Sequence, residues 1–179
     1  LSDYCKKIEL DITDTQLQQF DDYYRFLVEK NKVMNLTTII EKEDVVLKHF
    51  IDSIYIMKYT DFDEKKVIDI GTGAGFPGIP LAIMNPQTSF VLLDSLNKRI
   101  NFLNEVCNLC NLSNVITIHG RAEEISRKEE YREKFDYVVS RAVANMSTLL
   151  EYCTPFLKVG GQFISYKSGK VEEELSGAQ

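Results

Sequence analysis

The stretch Val67–Gly78, VIDIGTGAGFPG, constrains the fold of this chain more than any other part of it. Apolar and β-branched residues run into three alternating glycines, and the apolar Ile79-Pro80-Leu81-Ala82-Ile83 follows. The pattern predicts a strand, a tight turn and a helix starting near Pro77. A glycine turn at that junction brings backbone N–H groups and a helix N-terminus up against a ligand, because no side chain keeps the ligand away.

The rest of the chain from Lys66 onward repeats that texture. Val67–Ile70, Phe90–Asp94, Val115–His119, Phe135–Ser140 and Gln162–Tyr166 read as strands, with helices starting near Pro77, Asn97, Glu123 and Met146. Such alternation is the mark of βαβ units and a parallel sheet, in which Gly160-Gly161 reads as an ordinary turn. Residues 1–60 differ. Thr13 and Gln16 have capping-box spacing, and Leu17, Phe20, Tyr24, Leu27 and Val28 then recur at helical intervals, which predicts a helix over about 14–30. Val45, Val46, Phe50, Ile54 and Met57 predict a second amphipathic helix. The expected organisation is a helical appendage over 1–60 and a sheet domain over 61–179.

Composition narrows the setting. With 44% hydrophobic residues the chain can bury a core, and no apolar run approaches the ~20 residues of a membrane span. The opening residues lack an apolar segment of signal-peptide length, so the expectation is a cytoplasmic protein without a membrane partner. Residues 1–60 hold 11 acids and 8 bases, the remainder 16 and 13, giving a net charge of −6 without a basic half. A nucleic-acid partner would therefore need a local basic patch or a ribonucleoprotein. Of the four cysteines, Cys107 and Cys110 have the spacing of half a zinc site, but no second pair exists. They also continue the helical series Leu96, Ile100, Leu103, which predicts a buried stripe and no metal site.

The loop itself discriminates between ligands. A dinucleotide fingerprint would have glycine at position 76, where Phe76 stands, and no Gly-Lys-Ser/Thr closes a phosphate loop. Asp69, Gly71, Gly73 and Gly75 instead resemble motif I of class I methyltransferases that use S-adenosyl-L-methionine. Asp94 ends the next strand, where a carboxylate accepts ribose hydroxyls or simply caps the following helix. Glu123 follows the third strand, where methyltransferases hold the adenine edge and where an acid also suits a helix start. After the fourth strand stands Ser140-Arg141-Ala142-Val143-Ala144-Asn145, without the Asp/Asn-Pro-Pro-aromatic motif of amine methylation, and no cysteine is placed to activate a pyrimidine. What remains is an acceptor nucleophilic as it stands, such as a purine ring nitrogen.

Further segments extend the likeness over about residues 14–170: Asn35-Leu36-Thr37, His49-Phe50-Ile51-Asp52-Ser53, Leu92-Leu93-Asp94-Ser95, Arg121-Ala122-Glu123-Glu124, Ser140-Arg141-Ala142 and Lys167-Ser168-Gly169. Together they resemble the bacterial 16S ribosomal RNA guanine-N7 methyltransferases, the glucose-inhibited division protein B family. The resemblance implies a class I, Rossmann-like α/β fold, S-adenosyl-L-methionine as cofactor, and one guanine of 16S RNA, naked or in the small subunit, as acceptor. It places the cofactor at positions matching Gly71, Phe76, Ala122, Glu123 and Arg141, to which the loop and strand pattern adds Gly73, Gly75 and Asp94. Arg141 is also the candidate for positioning the substrate, and Lys98, Arg99 and Lys167 for holding RNA; DNA is not expected as a partner. Guanine N7 carries no proton, so no general base is expected. His49, Asp52 and Ser53 share a helical face, either as a catalytic cluster or as a brace between appendage and sheet. Rival readings are a ribosome assembly module without catalysis and a nicotinamide-dependent oxidoreductase.

This fold completes its sheet with an antiparallel hairpin, whereas the pattern here ends after five strands, so an incomplete C-terminus and an open edge are expected. The loop assignment itself is testable. Gly73→Val should abolish cofactor binding in a folded protein, because a branched side chain fills the approach to the loop. Calorimetric titration checks it, and unchanged affinity would refute this placement.

Overall fold

The computed structural model describes residues 1–141 and 145–166 of the 179-residue chain. Five strands, β1 (Lys66–Ile70), β2 (Ser89–Asp94), β3 (Val115–His119), β4 (Phe135–Arg141) and β5 (Leu157–Tyr166), form one parallel sheet. Their order is β3-β2-β1-β4-β5, and Ile68 of β1 lies between Val91 and Val138. Because β1 has a strand on each side and is covered on both faces, Val67 to Ile70 are all buried, and the strand reads as a continuous apolar run broken only by Asp69. The connections carry α5 (Gly78–Met84), α6 (Asn97–Leu109), α7 (Ala122–Ile125) and α8 (Met146–Cys153), close to the predicted starts.

The last strand differs from the expectation. Gly160 and Gly161 lie inside β5, where the register against β4 shifts between Phe135 and Tyr137. Gly160 has φ +82°, and a Cβ on Gly161 would sit 3.0 Å from three carbonyl oxygens. The pair is therefore a bulge within the strand rather than a turn before it. Among the described residues β5 is an edge of the sheet.

Ahead of β1 the chain is helical. Besides the predicted elements there is a short helix, α1 (Ser2–Lys7). Helix α2 (Asp14–Met34) starts with both halves of the capping box and ends at Asn35 in the left-handed region. It runs past Asn31 because that side chain does not interrupt the helix; its amide bonds the N–H and C=O of Thr37 at 2.9 Å each. The second predicted helix is not uniform. It consists of α3 (Lys42–Val45), a π-helical turn over Val46–Ile51, α4 (Asp52–Ile54) and a 3₁₀ turn over Tyr55–Lys58.

Residues 1–60 have no core of their own. Phe20, Tyr23, Leu27 and Phe50 belong to one apolar cluster with Phe76, Ile79, Leu103 and Val106. Ring centroids of Phe20 and Phe50 lie 4.9 Å apart, and Tyr23 lies 5.5 Å from both Phe50 and Phe76. The other face of the sheet is filled by Ile68, Ile70, Leu93, Val138 and Phe156. Truncating the shared centre, Phe50→Ala, should cost about 3–5 kcal/mol. Circular dichroism and tyrosine fluorescence should then follow one unfolding transition, and two separated transitions would make the halves independent.

Candidate active site

The glycine loop follows the C-terminal end of β1, beside the point where the strand order reverses, which is where open α/β sheets bind ligands. Gly71, Gly73 and Gly75 have φ of 69°, 62° and 101°, so side-chain-bearing residues would be strained there. Asp69 closes the loop: its Oδ2 accepts Thr72 Oγ1–H at 2.8 Å and Gly78 N–H at 2.9 Å. Its Oδ1 is buried without a partner among the described residues, and burial pushes the carboxyl up to about 7. From α2, Tyr23 Oη donates to Ala74 O at 2.5 Å.

The three glycines do different work. A Cβ on Gly73 would have only Gly71 O nearby, at 3.9 Å, so its open side is the approach to the loop. On Gly75 a Cβ would meet Ile79, Tyr23 and Leu103 at 2.7–3.0 Å. Gly75 thus lets the loop pack on the core, and it lines neither of the clefts beside the loop.

Two adjoining clefts share Gly71, Asp94 and Ser95. The first, of about 330 Å³, has Leu96, Ala122, Glu123 and Tyr152 around it. The second, of about 380 Å³, is lined by Gly73, Phe76, Arg99 and Arg141 together with Leu36 and Thr37 from the loop after α2 and His49 from the π-helical turn. Asp94 stands at their junction, 2% exposed. Its Oδ2 accepts Gly73 N–H at 2.9 Å and Arg99 Nη1–H at 3.3 Å, and Oδ1 accepts Leu96 N–H at 2.9 Å. It therefore orders the turn before α6 and also faces the clefts.

The predicted residues separate accordingly. Gly71, Asp94, Ala122 and Glu123 meet at the first cleft; Gly73, Phe76, Arg99 and Arg141 meet at the second. Lys98 is exposed and lines neither, and Lys167 lies outside the described residues. Helical spacing places Leu96 on the buried stripe, yet it is 43% exposed in the first cleft. It precedes the first residue of α6, so helical periodicity does not govern it. Its place two residues after Asp94 was the available signal. Tyr152 reaches the site only through the packing of α8 and has none. Cys110 is buried and Cys107 half-buried, and burial pushes their thiols up to about 12 and about 11. Among the described residues no three His, Cys, Asp or Glu side chains form a metal-binding group.

Arg141 links sheet and appendage. Its Nη1 donates to Asp52 Oδ2 at 2.9 Å and to Lys48 O at 3.3 Å, Nη2 donates to His49 Nδ1 at 3.4 Å, and Cζ sits 4.9 Å over the Phe76 ring. A guanidinium only donates, so Nδ1 is the acceptor and the proton of His49 is on Nε2, 2.9 Å from Thr37 Oγ1. The ring stacks on Phe76 at 4.4 Å. His49 and Asp52 thus brace the sheet against the helices, while Ser53 turns away and donates to His49 O at 2.5 Å. Burial and then the Arg141 charge push His49 down to about 4.

These features define a class I, Rossmann-like methyltransferase fold with its ligand crevice at the carboxyl ends of the strands. Solved structures agree: an S-adenosylmethionine-dependent O-methyltransferase from Thermotoga maritima superposes with a TM-score of 0.58 at 19% identity, covering 84% of this chain and 54% of that one. A precorrin-6y C5,15-methyltransferase from Geobacter metallireducens gives 0.56 at 14% identity, covering 81% and 71%. The sequence goes further. A family model described as rRNA small subunit methyltransferase G (GidB) matches residues 16–179, and the chain belongs to that family. Proteins named ribosomal RNA small subunit methyltransferase G from Lachnoclostridium phytofermentans and Clostridium perfringens are 54% and 52% identical, over 97% and 96% of this chain and 72% of each relative.

The buried histidine has a measurable consequence. The unfolded chain takes up a proton on His49 below about pH 6.5, and the folded one only near 4. The His49 contribution to stability should therefore fall as pH drops through that window and level off below it, while Asp69 acts in the opposite sense over the same range. Nuclear magnetic resonance titration should find His49 neutral down to about pH 4, and a midpoint near 6.5 would contradict the buried placement.

Proposed function

We propose that this chain transfers a methyl group from S-adenosylmethionine to N7 of a guanine in small-subunit ribosomal RNA. One observation carries the reading: Gly73, Asp94 and Arg141, from the ends of three different strands, meet in one crevice, in a chain 54% identical to a protein named for methylating that RNA. Bound S-adenosylmethionine supplies a methyl group on a sulfonium centre, open to attack by a lone pair.

The residues fit that cofactor in kind. Open space over Gly73 admits it against the backbone, and Leu96 and Ala122 offer apolar contact for an aromatic ring, with Glu123 at the rim to accept from its amino edge. Asp94 supplies the ribose acceptor. A carboxylate has about four lone-pair sites, and Gly73, Leu96 and Arg99 take three of them. A ribose presenting both hydroxyls would compete with Arg99, whose contact is the longest. Loss of that contact would free a cation at the cleft.

Guanine N7 attacks with an in-plane lone pair and loses no proton, so alignment does the work of a base. His49 agrees, since both its nitrogens are engaged and it stays neutral. An arginine gripping O6 and N7 together would occupy the attacking lone pair. The compatible contact for Arg141 or Arg99 is to O6 alone or to phosphate; Lys98 is exposed outside the cleft and could meet only more distant RNA. Leu36, Thr37 and His49 make the N-terminal segment one wall of this cleft, and in this reading it helps present the RNA. No helix among the described residues is long and apolar enough to cross a membrane. An assembly module without catalysis is not favoured, because the loop and Asp94 are intact.

The test is tritium transfer from labelled S-adenosylmethionine to small subunits and to deproteinised RNA, followed by nucleoside analysis. Label in 7-methylguanosine is expected, with a rate nearly flat between about pH 6.5 and 8.5 when methyl transfer limits turnover. Label in another nucleoside, or none, would overturn the reading, and a tenfold rise per pH unit would restore a general base.

A further inference from the structure

The pose of Arg141 is set by more than an ion pair. Asp52 is half exposed, and such a pair is weak and leaves the guanidinium free to pivot about one contact. Lys48 O adds a second acceptor on the same nitrogen, and among the described residues His49 Nδ1 is the one that engages Nη2. Nη1 thus has both donors engaged and the group lies over the Phe76 ring, and the anchor on Nη2 holds the far side of the plane.

His49 is itself held on each side. Its ring stacks on Phe76, and its Nε2–H meets Thr37 Oγ1, which also accepts Ile39 N–H at 3.1 Å. Thr37 is held in turn by the side chain of Asn31. His49 also sits in the π-helical turn, a rare local structure common at functional sites. Of the five N–H donors of Arg141, Nε–H and one on Nη2 have no acceptor among the described residues.

We propose that His49 is a positioning residue: packed on Phe76 and bonded to Thr37, in the Nε2–H tautomer that the donor-only guanidinium selects, it presents the Nδ1 lone pair that steadies the plane of Arg141, leaving two of that arginine's donors for the acceptor base or its phosphate. The proposal rests on the reading of the second cleft as the site of methyl transfer. A neutral acceptor suits the task, since a carboxylate would neutralise the guanidinium and a protonated ring would repel it.

A double-mutant cycle tests it, with kcat and KM for RNA methylation and thermal stability measured for every variant. His49→Leu should lower kcat/KM about tenfold, and in an Arg141→Lys background it should add less than about twofold, because the effect passes through the arginine. His49→Asn, which returns an acceptor near Nδ1, should stay within about threefold of the parent. Nitrogen-15 spectra should show Nε2–H at His49 in the parent and a tautomer mixture in Arg141→Met. Multiplicative losses, an Asn variant as poor as Leu, or an Nδ1–H tautomer would each overturn the proposal. Should His49→Leu not fold, the Asn variant and the spectra decide. A parent chain that methylates no RNA would sink the proposed function, and the tautomer, which needs no turnover, would still judge His49.

Discussion

Asp69 holds together the part of the molecule on which the rest depends. One of its oxygens takes the Thr72 hydroxyl at the start of the glycine loop and the Gly78 N–H at the start of α5, so one carboxylate closes a nine-residue excursion of the chain. The arrangement carries a cost. Its other oxygen is buried with no partner among the described residues, and burial raises the carboxyl to about 7, so folding favours the protonated group. The sign follows: this contribution is full below the ordinary carboxylate range and is lost as pH rises through about 7.

That loop is held from three sides. Asp69 closes its ends, Asp94 takes the Gly73 N–H from the next strand, and Tyr23 reaches Ala74 O from a helix about fifty residues earlier. Glycine at position 75 makes the third contact possible, because a side chain there would collide with Tyr23 itself. The N-terminal helices therefore do two jobs through one core: Phe20, Tyr23 and Phe50 pack beneath the loop, and Thr37, His49 and Asp52 reach the cleft above it. Site geometry and core packing are linked, since Phe76 lies under His49 and Arg141 and also within the apolar cluster.

Much of this was legible in the residues alone. The βαβ texture, the capping box at Thr13 and the glycine loop are local signals, set by periodicity, turn chemistry and backbone freedom within a dozen residues. Their consequences came out close to the expectation: five strands, helices at Asn97 and Met146, and Asp94 at a strand end beside the loop. Misreadings occurred where a local pattern met a tertiary demand. Gly160-Gly161 has turn composition but forms a bulge, because β5 must stay paired with β4 on both sides of it. Leu96 fits a helical stripe but precedes the helix and faces a cleft.

By itself the sequence determined that a parallel sheet would form, where its glycine loop would turn, and that an acid would follow β2, because each depends on short-range backbone and hydrophobic preferences. Only the tertiary structure decided what that loop rests on and what faces it. Tyr23 beneath Ala74, and Arg141 against Asp52 and His49, join residues separated by 51, 89 and 92 positions. No periodicity records such pairs. They exist because α2 and the π turn pack on the same core as α5 and α6, and shared burial, rather than sequence neighbourhood, brings their polar groups within hydrogen-bonding distance.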